Sequence, residues 1–215
     1  MNDRHLEHSP ERLYRFFQLL PRLVWGPLAE LQVIGAHHVP PSGPFLLICN
    51  HQSNLDPILI QAVCPRPVHA MAKSTQFAVP GIGALMARLH AFPVRRYRVD
   101  PQAVRIALRR LAAEQGVAIY IEGERSWDGH LASPRLGTVR LILKAGVPVI
   151  PTTIAGSYEA WPRWHSRIHL QPVSITFGEP MHFPKLDRKV DREATLPDAA
   201  AQIMNRLGAQ LPTCA

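Results

Sequence analysis

Apolar positions along the chain fall into short continuous blocks separated by polar residues, and the blocks have the length of β-strands. The first block, 44–50, is apolar at almost every position, which predicts a strand buried on both faces of a sheet. Three further blocks, at 117–121, 147–150 and 168–177, predict additional strands of the same domain.

Signals for helix starts and ends lie between these blocks. An Asp or Ser followed by Pro predicts a helix start, because Pro is favoured at the first helical position. Glycines predict where two helices end, at Gly116 and Gly146, and a last helix is predicted over 195–211 after a polar linker, 183–195. Three dipeptides carry the start signal: Asp56-Pro57, Asp100-Pro101 and Ser133-Pro134.

The alternation of strands and helices predicts an α/β fold with a mostly parallel central sheet flanked by helices. We expect one domain over 31–215. The chain has 215 residues, of which 47% are hydrophobic, so it can bury a sizeable core. This balance excludes extended disorder.

The first 30 residues have a different pattern, in which arginines are interspersed among large apolar side chains. Residues 1–30 are therefore predicted to form an amphipathic helical segment at a membrane interface, with Tyr14 and Trp25 at headgroup level. The alternative is an N-terminal helix packed on the domain. Charged residues and two prolines interrupt the most apolar stretch, 16–33, so we expect neither a membrane span nor a signal peptide.

The formal net charge of +8 predicts an anionic partner, such as an acidic membrane surface, a phosphorylated small molecule or a nucleic acid. We do not expect nucleic acid, because no aromatic-lined basic strand or recognition helix is evident. Cys49, Cys64 and Cys214 form no C-x-x-C pair, which predicts reduced thiols in the cytoplasm and no metal site. Cys49 lies in a buried block and is interpreted as a core residue.

Candidate chemistry lies where strands end, since sites in open α/β sheets gather at the carboxyl ends of strands. His51 follows the first strand, and Asp56 begins the next helix. On one continuous helix residues five apart would not share a face, so the pair requires a strand, a loop and a helix in succession. His182 and Asp187 repeat the spacing without that context. The alternative is that Asp56 only caps its helix beside a surface histidine. At the end of a strand, His51 is expected to contribute little packing.

Four blocks occur in a fixed order: Asn50-His51 with Asp56, then 90–96, 120–126 and 147–151. Together they resemble the ordered motifs of the glycerolipid, or lysophospholipid, acyltransferases of the 1-acylglycerol-3-phosphate type. The resemblance covers residues 35–178. It implies transfer of a fatty acyl group from an acyl thioester to the hydroxyl of a lysophospholipid such as 1-acylglycerol-3-phosphate.

The resemblance also implies roles for the first block. His51 is the general base that takes the hydroxyl proton, and Asp56 orients the imidazole and stabilises its cation. The thioester of coenzyme A or acyl carrier protein is a co-substrate, and no resident cofactor or metal is expected. Such an enzyme would be cytoplasmic and would contact an anionic membrane peripherally.

By matching motif positions, the other blocks supply candidate substrate-binding residues. Lys73, Arg96 and Arg125 are expected to bind the acceptor phosphate, because charge-assisted donors suit it. The alternative for Arg96 and Arg125, and for Arg95, is solvated surface charge, whereas Lys73 ends an apolar strand. Glu122 is expected to order its own loop by bonding backbone amides or Arg125, and Gly123 is expected to permit a tight turn.

Three positions depart from the family pattern. Ile121 stands where Pro is usual, Arg95 where Asp is common, and Glu124 where Thr is usual. Glu124 suggests an alternative function, an acyltransferase for a different lipid alcohol or an amine acceptor. A further alternative is a non-catalytic basic module that binds membrane or nucleic acid independently of His51.

Overall fold

The strands expected from the apolar blocks are present and belong to one sheet. The computed structural model describes residues 29–95 and 100–212, and Leu19, Leu23 and Trp25 in the preceding segment. The described residues form seven strands: β1 (Leu31–Ile34), β2 (Phe45–Cys49), β3 (Val68–Lys73), β4 (Phe92–Val94), β5 (Gly116–Tyr120), β6 (Val149–Ala155) and β7 (Val173–Phe177). They also form a 3₁₀ turn (Ala36–His38) and helices α1 (Asp56–Val63), α2 (Ser74–Phe77), α3 (Ile82–Arg88), α4 (Pro101–Ala112), α5 (Leu136–Ala145), α6 (Ser157–Ala160) and α7 (Lys189–Gln210).

The strand order is β1-β7-β6-β2-β5-β3-β4. Every neighbouring pair runs parallel except β6 and β7, which are antiparallel. The predicted α/β fold with a mostly parallel sheet is therefore confirmed. The carboxyl ends of β2, β3 and β5 consequently lie along one edge of the sheet.

Strand β2 forms the centre of the core, and all five of its residues are fully buried. Phe45, Leu47 and Cys49 pack on one face of the sheet with α1. Leu46 and Ile48 pack on the other face with α4, α5 and α7. Burial on both faces explains why this segment is continuously apolar rather than alternating.

Of the local signals at Asp100, Gly146 and Gly116, the first two mark helix boundaries as predicted and the third does not. Asp100 caps α4 as expected, since its carboxylate accepts hydrogen bonds from the Gln102 and Ala103 amides. Gly146 ends α5 with φ of 60°. The prediction that Gly116 ends α4 is wrong, because Gly116 is the first residue of β5 and a Cβ there would lie 2.3 Å from the Phe45 ring.

Several boundaries differ from the sequence expectations. Helix α5 begins at Leu136 rather than at the Ser133-Pro134 signal, and strand β7 is limited to Val173–Phe177. Helix α7 begins at Lys189, so half of the predicted 183–195 linker is helical, and Pro197 lies inside the helix. The helix continues through this proline because its buried apolar face extends to both sides of it. That face is formed by Leu196, Ala199, Ala200, Ile203 and Leu207.

The segment before β1 is helical at its described positions, Leu19, Leu23, Trp25 and Ala29. Leu19 and Leu23 are exposed, but Trp25 is buried and its Nε1 donates a hydrogen bond to the Gln171 carbonyl at 3.2 Å. The prediction that Trp25 lies at headgroup level is therefore wrong, because the indole packs into the domain. Tyr14 lies outside the described residues. None of the described helices has the length and apolarity needed to cross a bilayer.

Candidate active site

His51 and Asp56 face each other across the loop that joins β2 to α1. The chain leaves the sheet after Cys49, and Asp56 is the first residue of the helix. His51 Nδ1 lies 2.7 Å from Asp56 Oδ2, and both side chains are buried. The contact predicted from the succession of strand, histidine and helix is confirmed.

Hydrogen-bond donors surround the Asp56 carboxylate. Oδ2 accepts from the amides of Gln52 at 2.7 Å and Ser53 at 2.8 Å, and Oδ1 accepts from Ser157 Oγ at 2.7 Å. Donors therefore contact both oxygens of the carboxylate and hold its orientation. A carboxylate can only accept, so Nδ1 of His51 carries the proton of this contact, and in the neutral ring Nε2 is the nitrogen with an acceptor lone pair.

The alternative that Asp56 merely caps α1 is wrong. No side chain caps the amino end of this helix, and the residue at the N-cap position is Leu55. The carboxylate instead points back to the loop at Gln52 and Ser53 and to the imidazole. Asp56 therefore organises the histidine loop rather than the helix.

His51 is more firmly packed than a surface histidine. Its ring stacks on Tyr120 with centroids 4.0 Å apart. Its backbone amide donates to Glu122 Oε1 at 2.9 Å, and its carbonyl accepts from the Ser126 amide at 2.7 Å. The expectation that His51 contributes little packing is wrong, because the loop after β5 encloses it from two sides.

Glu122 joins the histidine loop to the loop after β5. Oε1 accepts from the His51 amide, and Oε2 accepts from the Ala132 amide at 3.1 Å. The expectation that Glu122 binds backbone amides is confirmed. Burial raises the pKa of its carboxyl to about 7, although the two amide hydrogen bonds oppose this shift.

Gly123 makes the tight turn that the sequence predicts. Its φ is 74°, in the left-handed region, and its amide donates to the Tyr120 carbonyl at 3.0 Å. A Cβ at this position would also lie 2.8 Å from Arg135 Cγ. The turn directly follows Glu122, whose carboxylate accepts a hydrogen bond from the His51 amide.

The three predicted phosphate-binding cations have different outcomes. Lys73 is the last residue of β3 and is exposed, and Arg125 follows the neighbouring strand β5 and is half-buried. Both therefore lie at the same edge of the sheet as His51. Arg96 lies outside the described residues. Convergence of the three cations on one phosphate stays a prediction.

Glu124, the departure from the family pattern, has two cationic partners. Its Oε1 lies 3.3 Å from Arg135 Nη2, and its Oε2 lies 3.5 Å from Arg163 Nη1. Arg163 Nη1 also donates to the Arg125 carbonyl at 2.9 Å. The negative charge of Glu124 is thus balanced by one cation from its own loop and one from the 161–172 loop.

A groove of about 950 Å³ lies on the face of the sheet covered by α4 and α5. Tyr120 and Gly123 line one end of it, where β5 ends and the loop that follows begins. Its other walls are largely apolar side chains from four elements, Met71, Val94, Val104, Leu136 and Leu141.

Most polar groups around this groove are cations. Four of them come from two helices: Arg140 and Lys144 from α5, and Lys189 and Arg192 from the start of α7, where Glu193 pairs with Arg140. Within 29–95 and 100–212, no three His, Cys, Asp or Glu side chains are grouped to hold a metal ion. The groove suits an elongated apolar molecule that has an anionic portion.

Comparison with known proteins adds to this geometry. Residues 30–155 match the family model described as Acyltransferase, which is more than half of the chain. The chain belongs to the acyltransferase family. The matched residues include β2, the His51–Asp56 loop and the loop after β5.

Relatives of this acyltransferase-family chain carry one recurring description. It is 23% identical over 199 residues to the 1-acyl-sn-glycerol-3-phosphate acyltransferase of Bacillus subtilis, covering 91% of this chain and 96% of that protein. It is 28% identical over 167 residues to a chloroplastic 1-acyl-sn-glycerol-3-phosphate acyltransferase of Arabidopsis thaliana, covering 75% of this chain. The chain spans 46% of the Arabidopsis protein, about half of its length.

A solved structure supports the fold. The crystal structure of the 1-acyl-sn-glycerophosphate (LPA) acyltransferase, PlsC, from Thermotoga maritima superposes with a TM-score of 0.73 at 21% identity. The match covers 98% of this chain and 88% of that one. The similarity of fold thus extends over nearly the whole chain.

Two site residues were missed by sequence reasoning. Ser157 reaches Asp56 from the end of β6, 101 positions away, and no local pattern links the two. Tyr120 was assigned only to a strand, and parity along that strand places its ring on the face where His51 lies. A pairing of the ends of β2 and β5 would have indicated the stack.

Proposed function

We propose that this protein transfers a fatty acyl group from an acyl thioester to the hydroxyl of a lysophospholipid such as 1-acylglycerol-3-phosphate. The observation that carries the proposal is the buried His51–Asp56 contact of 2.7 Å in a chain of the acyltransferase family. The names of relatives supply the acceptor class.

The transfer needs a base because an alcohol is not ionised near neutral pH. His51 Nε2 takes the proton of the acceptor hydroxyl as its oxygen attacks the thioester carbonyl carbon. The tetrahedral intermediate collapses, the carbon–sulfur bond breaks, and the imidazolium returns the proton to the thiolate. Asp56 holds the tautomer and stabilises the imidazolium between these steps.

This route needs no covalent acyl-enzyme. The nearest thiol, Cys49, is fully buried in β2. Burial raises the pKa of the Cys49 thiol well above its usual value, and the nearby Asp56 charge raises it further. A thiol in this setting is a poor nucleophile, which supports direct transfer.

The groove beside Tyr120 is our candidate for the acyl donor. Its apolar walls suit a fatty chain. Its cations, including Lys144 and Arg192, suit the anionic part of a thioester carrier, either coenzyme A or acyl carrier protein. In this arrangement the thioester lies at the end of the groove lined by Gly123, in the loop whose Glu122 bonds the His51 amide.

The acceptor phosphate is assigned to Lys73, Arg96 and Arg125, with Glu122 and Gly123 shaping the loop that presents Arg125. The negative charge of Glu124 was the reason to consider a different alcohol or an amine as the acceptor. The ion pairs with Arg135 and Arg163 weaken that reason, because a carboxylate whose charge is balanced by cations repels a phosphate less. The phosphate-bearing acceptor is therefore the one we favour.

We further propose that the protein acts as a peripheral membrane protein on the cytoplasmic side. Its acceptor is a lipid, its net charge is +8, and Leu19 and Leu23 are exposed on the segment before β1. The assignment of residues 1–30 as an interfacial segment stays a prediction.

The direct test is an acyl transfer assay on the purified full chain. It would receive labelled acyl-coenzyme A or acyl carrier protein together with lysophosphatidate, lysophosphatidylcholine, a simple long-chain alcohol or a long-chain amine. We expect labelled phosphatidate as the dominant product. Product with the amine or alcohol but none with lysophosphatidate would establish the alternative acceptor, and no product with any acceptor would reject the enzyme.

A further inference from the structure

Two exposed tryptophans lie together on the surface next to the candidate active site. Trp127 is 62% exposed and Trp164 is 52% exposed. Their rings are stacked with centroids 6.0 Å apart, and Tyr158 meets Trp164 edge-on at 5.9 Å. Large aromatic rings that remain this exposed indicate a contact surface rather than core packing.

The tryptophans are held in place by polar contacts. The Arg163 guanidinium lies 3.5 Å from the centre of the Trp127 ring, while its Nη1 donates to the Arg125 carbonyl. The Tyr158 hydroxyl donates to the Trp127 carbonyl at 3.0 Å. The exposed rings are therefore presented by a fixed scaffold.

The loop that carries Trp164 is apolar and basic. Ile168 and Leu170 are 48% and 47% exposed, and Arg167 lies exposed beside them. No acidic residue occurs over 161–172. On the loop after β5, which carries Trp127, the Asp128 carboxylate accepts hydrogen bonds from the Ser126 hydroxyl and the His130 amide within its own turn.

Two hydrogen bonds connect this surface to His51 and to the N-terminal segment. The Ser126 amide donates to the His51 carbonyl one residue before Trp127. At the other end of the 161–172 loop, the Gln171 carbonyl accepts from Trp25 of the N-terminal segment. The exposed apolar side chains thus run from the N-terminal segment to the loop that encloses His51.

We propose that Trp127, Trp164, Ile168 and Leu170 form a docking surface for an anionic lipid bilayer. Indole rings favour the headgroup level of a bilayer, and the surrounding cations suit acidic lipids. Docking here would place the loop after β5 against the membrane, where a lysolipid acceptor would enter. The inference rests on the proposed function for its purpose and on the exposed surface for its location.

The test measures binding of the full chain to vesicles without turnover. Vesicles of equal parts phosphatidylglycerol and phosphatidylcholine would be compared with pure phosphatidylcholine. We expect the double variant Trp127→Ser, Trp164→Ser to bind the anionic vesicles roughly tenfold more weakly or worse. The matched control is Val190→Ser, which removes an apolar side chain that is 71% exposed on α7 and should leave binding unchanged.

A second readout separates this surface from the N-terminal segment. Brominated phosphatidylcholine should quench the tryptophan fluorescence of the unaltered protein but not that of Trp127→Phe, Trp164→Phe, whose remaining indoles are Trp25 and Trp161. Equal vesicle binding by the serine variant and the control would overturn the proposal. A concentration-dependent dimer that the serine variant loses, with unchanged vesicle binding, would assign the surface to a second copy instead. Because neither readout needs acyl transfer, failure here leaves the proposed function untouched.

Discussion

Ser157 and Asp56 lie 101 positions apart, yet the Ser157 hydroxyl donates a 2.7 Å hydrogen bond to Asp56 Oδ1, and both residues are fully buried. The bond connects the end of β6 to the carboxylate that contacts His51. Ser157 therefore acts as a positioning residue, because it fixes the carboxylate from the side opposite the imidazole.

We expect Ser157→Ala to lower kcat about ten- to a hundredfold, since losing one hydrogen bond to a buried charged group costs roughly 1.5–3 kcal/mol. Steady-state kinetics and thermal melting would be measured together. Thr153→Val is the matched control, because it removes a buried hydroxyl from β6 that contacts Gln210 instead of the site. In an Asp56→Asn background, Ser157→Ala should have no further effect on kcat. Additive losses would mean that Ser157 acts elsewhere.

Asp56→Asn should leave a folded protein with kcat lower by about two to four orders of magnitude. The amide oxygen can still accept from the Gln52 and Ser53 amides, but the neutral side chain no longer stabilises the imidazolium. Single-turnover acyl transfer and circular dichroism would measure the two effects. A folded variant with unchanged rate would show that Asp56 only organises the loop.

The Glu122 carboxyl makes stability depend on pH. Its pKa is raised to about 7 in the folded protein from an ordinary value of 4.5, so the folded state holds its proton more tightly. The resulting stabilisation is fully present below pH 4.5 and is lost as pH rises through 7. Across that window, about 3 kcal/mol of relative stability should disappear.

Glu122→Gln isolates this contribution because glutamine does not titrate. The free energy of unfolding in urea would be measured for both proteins at several pH values between 4 and 8, with the same buffer ions. As pH rises, the free energy of unfolding of the unaltered protein should fall steadily relative to that of the variant. A difference that stays constant over the range would contradict the raised pKa.

Arg125→Ala should reduce kcat/KM for lysophosphatidate by about ten- to a hundredfold, because one charged hydrogen bond to phosphate is lost. Phosphate-free acceptors should be affected much less. Arg206→Ala, an exposed arginine on α7, serves as a control for loss of one positive charge. Equal loss with both acceptor classes would make Arg125 a loop-structuring residue.

Much of the fold was predictable because its signals are local. The apolar run of β2 and the Asp-Pro signal at residue 56 lie within a dozen positions, so the sequence alone placed His51 and Asp56 together. The prediction at Gly116 was wrong because a glycine can either end a helix or leave room for a neighbouring side chain. The Phe45 ring, which leaves no room for a Cβ at this position, lies on another strand.

The rest of the site depends on contacts that no local pattern contains. Ser157 meets Asp56 only because β6 and β2 are adjacent in the sheet. The Tyr120 stack on His51 likewise follows from the pairing of β2 with β5. The groove has walls from several elements, so its position follows from the packing of α4 and α5 on the sheet.

The central claim is that His51 is the base of an acyl transfer, and one comparison tests it most directly. Labelled acyl thioester and lysophosphatidate would be given to the unaltered protein, to His51→Gln and to His182→Gln, which alters the exposed histidine with the same spacing to an aspartate. Glutamine keeps a planar polar side chain, and thermal melting would verify that each variant is folded. The account predicts phosphatidate formation by the unaltered protein and by His182→Gln, with a loss of at least a hundredfold in His51→Gln. Phosphatidate formed at the normal rate by folded His51→Gln would contradict it.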